Sequence, residues 1–144
     1  MRLKMIYYWW NKMKEYLLKN VEETRAWARD FAKTLRAPIT VALHGDLGMG
    51  KSEIAREIIK TLRGADTVVP SPTFTLVQNY DGISHFDLYR IGDASELEEI
   101  GLQYAIDNDI TLIEWPDIAK DMLPENTIHV YITQQGNGRK LVLQ

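Results

Sequence analysis

The chain has 144 residues, of which 45% are hydrophobic and 26% charged, and its formal net charge is −3. A chain of this length fits one domain that can bury a core without the help of disulfide bonds or structural metal ions, so two large domains are excluded. The sequence contains no cysteine, which excludes a disulfide framework, a thiolate metal site, an iron–sulfur cluster and a cysteine nucleophile, and is typical of a reducing cytosol.

The charges are distributed unevenly along the chain. Residues 1–20 contain five Lys and Arg against one acidic residue, whereas residues 81–126 contain two against twelve. Affinity for nucleic acids comes largely from Lys and Arg side chains that neutralise phosphates. Tight, direct binding of nucleic acid by the acidic half is therefore disfavoured.

The first segment, residues 1–12, is basic and aromatic. Its apolar run, Met5–Trp10, is shorter than the roughly 7–15 residues of a signal-peptide core, and no stretch of roughly 20 apolar residues follows that could span a membrane. Three interpretations remain: a poorly ordered or loosely docked tail, an anchor for a membrane surface or a partner, or a start placed upstream of the true initiator, Met13. We therefore expect one domain over residues 13–144 and an extension outside it.

The first half of the domain alternates between helix and strand signals. A helix is predicted from Val21 to Arg36, because Asn20 can cap it, acidic residues occupy its first turn and apolar residues recur at helical spacing. A β-branched run at 39–43 predicts a strand. A glycine loop follows it directly, and then a second helical pattern that ends near Gly64.

The second half continues this alternation. Short extended segments are predicted at 67–69, 73–77 and 83–88, followed by an acidic helix over 94–106 and a buried strand over 110–113 that ends on Glu114. Residues 127–133 and 139–143 flank a glycine-rich turn and are predicted to form a hairpin. Because no repeat or linker interrupts the pattern, it predicts one α/β domain.

The glycine loop is the strongest chemical signal. Its sequence, GDLGMGKS at 45–52, fills every fixed position of the pattern G-x-x-x-x-G-K-[ST]. Phosphates are bound by backbone N–H groups that turn inward, and Gly45 and Gly50 permit this bend because they tolerate unusual dihedral angles and carry no side chain. Lys51 is then expected to reach the β- and γ-phosphates and Ser52 to bind Mg²⁺, with the next helix presenting its N-terminus to the same anions.

A P-loop enzyme also needs an acid on a neighbouring strand, to hold Mg²⁺ or to orient the attacking water. Glu114 is the first candidate, because ligands of open α/β sheets bind at the carboxyl ends of the strands; a merely solvated strand end is the alternative. Asp87, at the end of ISHFD, is the second candidate, although an Asp here can also cap a turn. His85 is weaker, since a lone His among apolar neighbours is more often packed than catalytic.

Missing motifs narrow the class of P-loop protein. The Asn-Lys-x-Asp and D-x-x-G strings of small GTPases do not occur after the loop, which makes a GTPase a minor option. A small-molecule kinase usually needs several lid arginines, and residues 81–126 contain only Arg90. An ATPase is favoured, with a small-molecule P-loop kinase as the alternative and a nucleotide-dependent binding module without hydrolysis as a third option.

Several segments in order carry a family resemblance: GDLGMGKS at 45–52, SPTFTLVQNY at 71–80, HFDLYRI at 85–91, LIEWP at 112–116 and the pair Gly-Arg at 138–139. Together, and from about residue 16 to the C-terminus, they resemble the TsaE family, formerly YjeE, bacterial P-loop ATPases required for the threonylcarbamoyl modification of adenosine in tRNA. The resemblance implies a P-loop NTPase-like, three-layer α/β fold, with a mixed central sheet flanked by helices and the P-loop near its centre.

The resemblance also implies roles for individual residues. The residues around ATP would be Thr24 at the adenine, Gly45, Gly48, Met49, Gly50, Lys51 and Ser52 at the phosphates, and Asp87, Glu114 and Trp115 beside them. Those of the reaction itself would be Lys51, Thr73, Asp87 and Glu114, with Thr73 in a switch-like loop near the γ-phosphate; Ser52 and Glu114 would hold Mg²⁺. From the residues alone, segment 71–73 could equally be an ordinary turn and Trp115 a packed aromatic.

Three positions depart from the family pattern. Ser52 stands where Thr is usual and keeps the hydroxyl. Met49 stands where Ala is usual, so its side chain is expected to point away from the phosphates. Glu53 replaces a frequent Thr; its charge suits the helix dipole but would repel phosphate if it turned inward. These departures bear on the affinity for the nucleotide and not on its identity.

The resemblance implies that ATP binding and hydrolysis drive the cycle of a partner complex, the TsaB–TsaD heterodimer, so that tRNA is contacted only indirectly. A cytoplasmic protein without membrane contact is expected, and the oligomeric state is left open. The acidic segment, with Glu96, Glu98 and Glu99, either faces a basic partner surface or is a solvated helix face.

Overall fold

The computed structural model describes residues 4–8, 13–72 and 75–144. Its strands are β1 (Lys4–Tyr8), β2 (Met13–Leu18), β3 (Ile39–His44), β4 (Val77–Asn79), β5 (Ile83–Asp87), β6 (Ile110–Glu114), β7 (Ile128–Gln135) and β8 (Gly138–Leu143). Its α-helices are α1 (Val21–Ala32), α2 (Lys51–Arg63), α3 (Glu96–Glu99) and α4 (Leu102–Asn108), and a 3₁₀ helix spans Pro116–Met122.

The eight strands form one mixed sheet in the order β1-β2-β8-β7-β3-β6-β5-β4. At its centre β3 pairs in parallel with β6 and β7, and β6 pairs in parallel with β5. The remaining pairs are antiparallel. Because β3, β5 and β6 are parallel, their carboxyl ends meet at one edge of the sheet, where ligands of such folds bind.

Helices cover both faces of the sheet and divide the core into two clusters. On one face α1 and α2 pack against alternate residues of the central strands, among them Val41, Leu43 and Leu112. On the other face α3 and α4 pack against Phe86 and Ile113. The central strands are buried on both sides, which accounts for their nearly continuous apolar runs. This arrangement confirms the predicted three-layer α/β architecture.

The first helix begins where the sequence indicates. The side chain of Asn20 accepts a hydrogen bond of 2.9 Å from the backbone N–H of Glu23, which satisfies one of the free donors of the first turn. Its regular part ends at Ala32, four residues before the predicted end. The hairpin of β7 and β8, the strand β3 and the helix α2 lie where they were predicted.

The prediction of one acidic helix over 94–106 is wrong in one respect, because the structure has two short helices there. Gly101 separates them with a φ of 77°, a left-handed conformation that glycine adopts at little cost and that interrupts a regular helix. Residues 67–69, predicted to be extended, form no strand. No strand was predicted before the first helix, whereas β2 pairs with β8 and β1 pairs with β2. The division of the chain at residue 12 stays a prediction.

Among the described residues, no helix has the length and apolar character needed to cross a lipid bilayer.

Candidate functional site

The glycine loop connects the carboxyl end of β3 to the first turn of α2. Gly48 and Gly50 have φ angles of 82° and 113°, which only glycine adopts without strain. Gly50 is also the N-cap of α2, and no side chain there bonds to the first turn. The first N–H groups of α2 therefore have neither an intrahelical partner nor a side-chain cap, which makes this helix end suited to bind an anion.

Lys51 lies inside the loop with 5% of its surface exposed. Its Nζ donates to the backbone oxygens of Gly45 and of Asp46, the latter at 3.1 Å. Burial lowers the pKa of Lys51, while the carboxylates of Glu114, Asp87 and Asp46 act in the opposite direction. The ammonium group is thus held by loop carbonyls, from which it can be redirected to a stronger anionic partner.

Glu114, at the carboxyl end of β6, is 3% exposed and each of its carboxylate oxygens has a partner. The hydroxyl of Ser52 donates to Oε1 at 2.8 Å. Nε2 of His85 lies 2.6 Å from Oε2. The predicted strand-end acid therefore meets the predicted P-loop hydroxyl, although 62 residues separate the two in sequence.

Asp87 ends β5 and lies opposite Glu114 in the register of the two parallel strands. It is 7% exposed, and its Oδ1 accepts a hydrogen bond of 3.0 Å from the backbone N–H of Tyr89. Both candidate acids consequently lie at the same edge of the sheet as the glycine loop. The alternative of a turn-capping Asp is also satisfied here, since one oxygen caps the turn while the carboxylate still faces the cleft.

Trp115 follows Glu114 with a φ of 56°, which is rare for a residue with a bulky side chain. The Nζ of Lys51 lies 3.9 Å from the centroid of the Trp115 ring, within the range of a cation–π interaction. The ring also packs against that of Tyr89, with centroids 4.9 Å apart. The ring of Trp115 therefore lies beside the loop, in contact with its lysine.

Two clefts flank the glycine loop and share Gly48, Gly50 and Glu53. The first, of about 250 Å³, is lined by Leu47, Gly48, Gly50, Lys51, Ser52, Glu53, Asp87, Glu114 and Trp115. The second, of about 320 Å³, is lined by Asn20, Val21, Thr24, Gly48, Met49, Gly50, Glu53, Asn137, Gly138 and Arg139. The loop thus separates a cleft that holds the carboxylates from a second cleft that holds Thr24.

The two departures at Met49 and Glu53 are accommodated by packing and by ion pairs. Met49 packs against the apolar core under α1 and α2. The carboxylate of Glu53 accepts from Arg25 at 2.6 Å and from Arg56 at 3.0 Å, and this pairing raises the pKa of Arg25. Two guanidinium groups thus offset the charge of Glu53 beside the loop.

The donor set fits a magnesium ion that is shared with a bound phosphate. Among the described residues no three His, Asp or Glu side chains converge as a metal cage. Ser52 and Glu114 nevertheless bring together a hydroxyl and a carboxylate, with a second carboxylate on the neighbouring strand. Mg²⁺ prefers such oxygen ligands and commonly takes the remaining ones from phosphates and water.

Two features of the site lay beyond the sequence-based reasoning, and one predicted residue cannot be placed. Arg139 was noted only in a family motif, but its Nε donates to the backbone oxygen of Met49 at 2.9 Å and its Nη2 to that of Gly48 at 3.4 Å. His85, expected to be merely packed, contacts Glu114. Thr73 lies outside the described residues. The alternation of side chains along ISHFD was the available signal for His85, since it places residues 85 and 87 on one face.

Comparison with known proteins finds a consistent set of relatives. The family model described as "Threonylcarbamoyl adenosine biosynthesis protein TsaE" matches residues 18–141. The tRNA threonylcarbamoyladenosine biosynthesis protein TsaE of Rickettsia bellii is 42% identical over 129 residues, which cover 87% of this chain and 90% of the relative. That of Haemophilus influenzae is 41% identical over 110 residues, covering 73% and 69%.

A solved structure is similar over nearly the whole chain. The crystal structure of Bacillus subtilis YdiB superposes with a TM-score of 0.72 and 23% sequence identity, and the match covers 99% of this chain and 86% of that one. At this identity the similarity shows the fold.

Proposed function

Because the chain belongs to the TsaE family, we propose that it is the ATP-binding and ATP-hydrolysing subunit of the machinery that makes N6-threonylcarbamoyladenosine in tRNA. The observation that carries this proposal is the meeting of Lys51, Ser52 and Glu114 at the uncapped N-terminus of α2. A buried cation, a hydroxyl and a carboxylate beside free N–H groups suit the triphosphate of a nucleotide together with its metal ion.

The phosphates are bound in the cleft that holds Lys51. The backbone N–H groups of the loop and of the first turn of α2 face the phosphate oxygens, and the ammonium of Lys51 exchanges its carbonyl partners for the terminal phosphates. The second cleft, with Thr24, receives the base and the ribose. Met49 stays packed on the core, so its bulk does not compete with the phosphates.

Ser52 and Glu114 hold Mg²⁺ in this proposal, the first through its hydroxyl oxygen and the second directly or through water. When bound, the ion would neutralise the charge that develops on the phosphates during transfer. Asp87 faces the same cleft and orients the attacking water. By family resemblance we expect the hydroxyl of Thr73, which lies outside the described residues, to act on the γ-phosphate.

The partner that we propose is the TsaB–TsaD heterodimer, with tRNA contacted only through it. In the described residues the nucleotide clefts are lined by the loop, the strand ends, α1 and the β7–β8 hairpin. In this proposal the cleft beside the carboxylates is filled by the phosphates and the metal ion. ATP turnover in such a protein acts on the state of a bound partner.

One assay tests the proposal: phosphate release from Mg-ATP, with and without purified TsaB–TsaD heterodimer. We expect slow release by the protein alone and strong stimulation by the heterodimer. Transfer of phosphate to a small acceptor would instead identify a kinase, and ATP binding without turnover in the presence of the partners would identify a binding module.

The variant Glu114→Gln tests the site in the same assay. We expect it to lose at least tenfold in turnover, because the amide cannot supply the negative charge that the metal ion needs. Glu125→Gln is the matched control, since Glu125 is an exposed acid outside the clefts. Hydrolysis by Glu114→Gln at the wild-type rate would contradict the assignment.

A further inference from the structure

We propose that His85 is a positioning residue: it holds the carboxylate of Glu114 in the one orientation in which Glu114 and Ser52 can bind Mg²⁺ together. This inference rests on the proposed function, since it concerns the same metal site. His85 itself touches neither the cleft with the carboxylates nor the second cleft.

The sheet places His85 next to Glu114, on the strand that pairs with β6. His85 lies on β5, one alternate position before Asp87, and its register partner on β6 is Leu112, two residues before Glu114. Only 1% of its surface is exposed, and its Nε2 is 2.6 Å from Oε2 of Glu114. An imidazole buried on one face of the sheet has little freedom to turn, so its hydrogen bond fixes the position of Oε2.

The two oxygens of Glu114 have different partners, and this difference orients the group. Oε2 faces His85, whereas Oε1 accepts from the hydroxyl of Ser52 at 2.8 Å. Rotation of the carboxylate would break both hydrogen bonds in a buried place, where an unpaired polar group costs about 1–3 kcal/mol. Oε1 is therefore held towards Ser52 in the loop, where both residues could bind the same metal ion.

The hydrogen-bonding capacity of the groups assigns the proton. An ionised carboxylate only accepts, so His85 must donate through Nε2–H. Nδ1 of His85 is buried and has no partner among the described residues. With the proton on Nε2, Nδ1 needs no acceptor. With the proton on Nδ1 instead, the lone pair of Nε2 would face the carboxylate, and a buried N–H would have no acceptor. The hydrogen-bonding partners thus place a proton on Nε2 of His85.

Loss of a residue that orients a metal ligand typically lowers metal affinity or activity by about 10–100-fold. Removal of the His85 donor should act in this way, because Glu114 would be free to rotate away from Ser52. The binding of nucleotide without metal should change little, since Lys51 bonds to carbonyls of the loop whereas His85 bonds to Glu114.

The test compares His85→Leu with His85→Gln. Leu fills the space without a donor, while the amide nitrogen of Gln can reach the place of Nε2. For both variants and the wild type, binding of a fluorescent, non-hydrolysable ATP analogue is measured in EDTA and as a function of Mg²⁺ concentration, and circular dichroism verifies folding. We expect His85→Leu to need about 10–100-fold more Mg²⁺ for half-saturation, with affinity in EDTA within about twofold of wild type, and His85→Gln to restore most of the loss.

The outcomes separate the two proposals. If the wild type binds the analogue without any dependence on Mg²⁺, the proposed metal site fails and the role of His85 fails with it. If the wild type depends on Mg²⁺ and folded His85→Leu has the same dependence, the role of His85 alone is overturned. Equal losses in EDTA and in Mg²⁺ would likewise overturn it, because they indicate a general defect of the loop.

A measurement on the unmodified, nucleotide-free protein covers the case in which His85→Leu does not fold. The ¹⁵N chemical shifts of the imidazole report which nitrogen carries the proton. A proton on Nε2 is expected. A proton on Nδ1 with a bare Nε2 would overturn the inference, since His85 could then not donate to Glu114.

Discussion

Arg139, which lies outside the glycine loop, bonds directly to its backbone. Its guanidinium reaches the backbone oxygens of Met49, Gly48 and Gly138 at 2.9, 3.4 and 2.9 Å, respectively. When the carbonyls of a loop point towards a guanidinium on one side, its N–H groups are free to point to the other. Arg139 therefore stabilises the conformation in which the loop can bind an anion.

We expect Arg139→Met to weaken the binding of Mg-ATP about tenfold, the equivalent of about 1.4 kcal/mol, because hydrogen bonds from a charged donor to the loop are lost. Arg139→Lys keeps the charge but not the fork of donors, so its loss should be intermediate. Isothermal titration calorimetry measures both. If Arg139→Met bound Mg-ATP with wild-type affinity, the loop would not need the hydrogen bonds of Arg139 to keep its shape.

His44, directly before the loop, takes part in a small titratable cluster. Its Nε2 is 2.9 Å from Nδ1 of His129, its ring stacks on Tyr131 with centroids 4.3 Å apart, and Asp117 lies 3.8 Å from its Nδ1. Burial, and then the charge of His129, lower the pKa of His44, while Asp117 opposes them. The folded state therefore favours the neutral ring.

The pH dependence of stability follows from this direction. In the unfolded chain His44 takes up a proton near about pH 6.5, whereas in the folded state it does so only at lower pH. Its contribution to stability is thus fully present above about pH 6.5 and is lost as the pH falls from there towards the folded pKa. Thermal unfolding between about pH 7.5 and 5 should show a steeper fall of Tm for the wild type than for His44→Phe, which keeps a stacked ring. Parallel curves would contradict this.

At the scale of elements, the contact of β8 with the end of β2 depends on a single glycine. A Cβ on Gly138 would lie 2.1 Å from the backbone oxygen of Leu18 and 2.9 Å from Cα of Lys19. No side chain fits there, because the neighbouring atoms belong to backbone that cannot rotate away. Gly138 thus joins the two strands and, through its neighbour Arg139, brings the hairpin to the loop.

Gly138→Ala should destabilise the fold by about 3 kcal/mol or more, at the upper end of what overpacking costs. In a chain of this size that corresponds to a fall in Tm of about 10 °C. Gly92→Ala is the matched control, since nothing lies within 4 Å of a Cβ at Gly92, and it should leave Tm nearly unchanged. Equal Tm values for the two variants would show that β2 and β8 can separate without cost.

At the scale of the whole molecule, the acidic residues of segment 81–126 fall into a buried group and an exposed group. Of its twelve acidic residues, Asp87 and Glu114 are buried at the site and Asp109 is partly buried, while the others are exposed. Glu96, Glu98 and Glu99 lie on the short α3, with only Leu97 of that helix buried. The net charge of the segment therefore combines two buried carboxylates at the candidate site with a surface that faces solvent.

If this surface contributes to binding of the TsaB–TsaD heterodimer, reversal of its charge should weaken the complex. We expect Glu98→Lys with Glu99→Lys to reduce affinity about tenfold at low salt, with a smaller difference as salt rises and screens the charges. Asp30→Lys with Asp66→Lys changes two exposed acids elsewhere on the molecule and should have little effect. Equal affinities of the two double variants in surface plasmon resonance would identify α3 as a solvated face only.

The sequence by itself determined what local patterns encode. The glycine loop, its Lys51 and Ser52, the order of strand, loop and helix and the acids at two strand ends are contiguous features, so the fold class and the anionic nature of the ligand could be predicted from them. The break at Gly101 and the strands before α1 could not, because a residue's intrinsic preferences are overridden by the partner it packs against.

Only the tertiary structure decided which distant residues meet. Glu114 bonds to a hydroxyl 62 residues away, His85 to Glu114 across 29, and Arg139 to the loop across 90. Strand order and register create these contacts, and neither is contained in the alternation of a single strand, which specifies only the face on which a side chain lies. The sequence thus supplied the chemical groups, and the sheet brought them together because its parallel strands end at one edge.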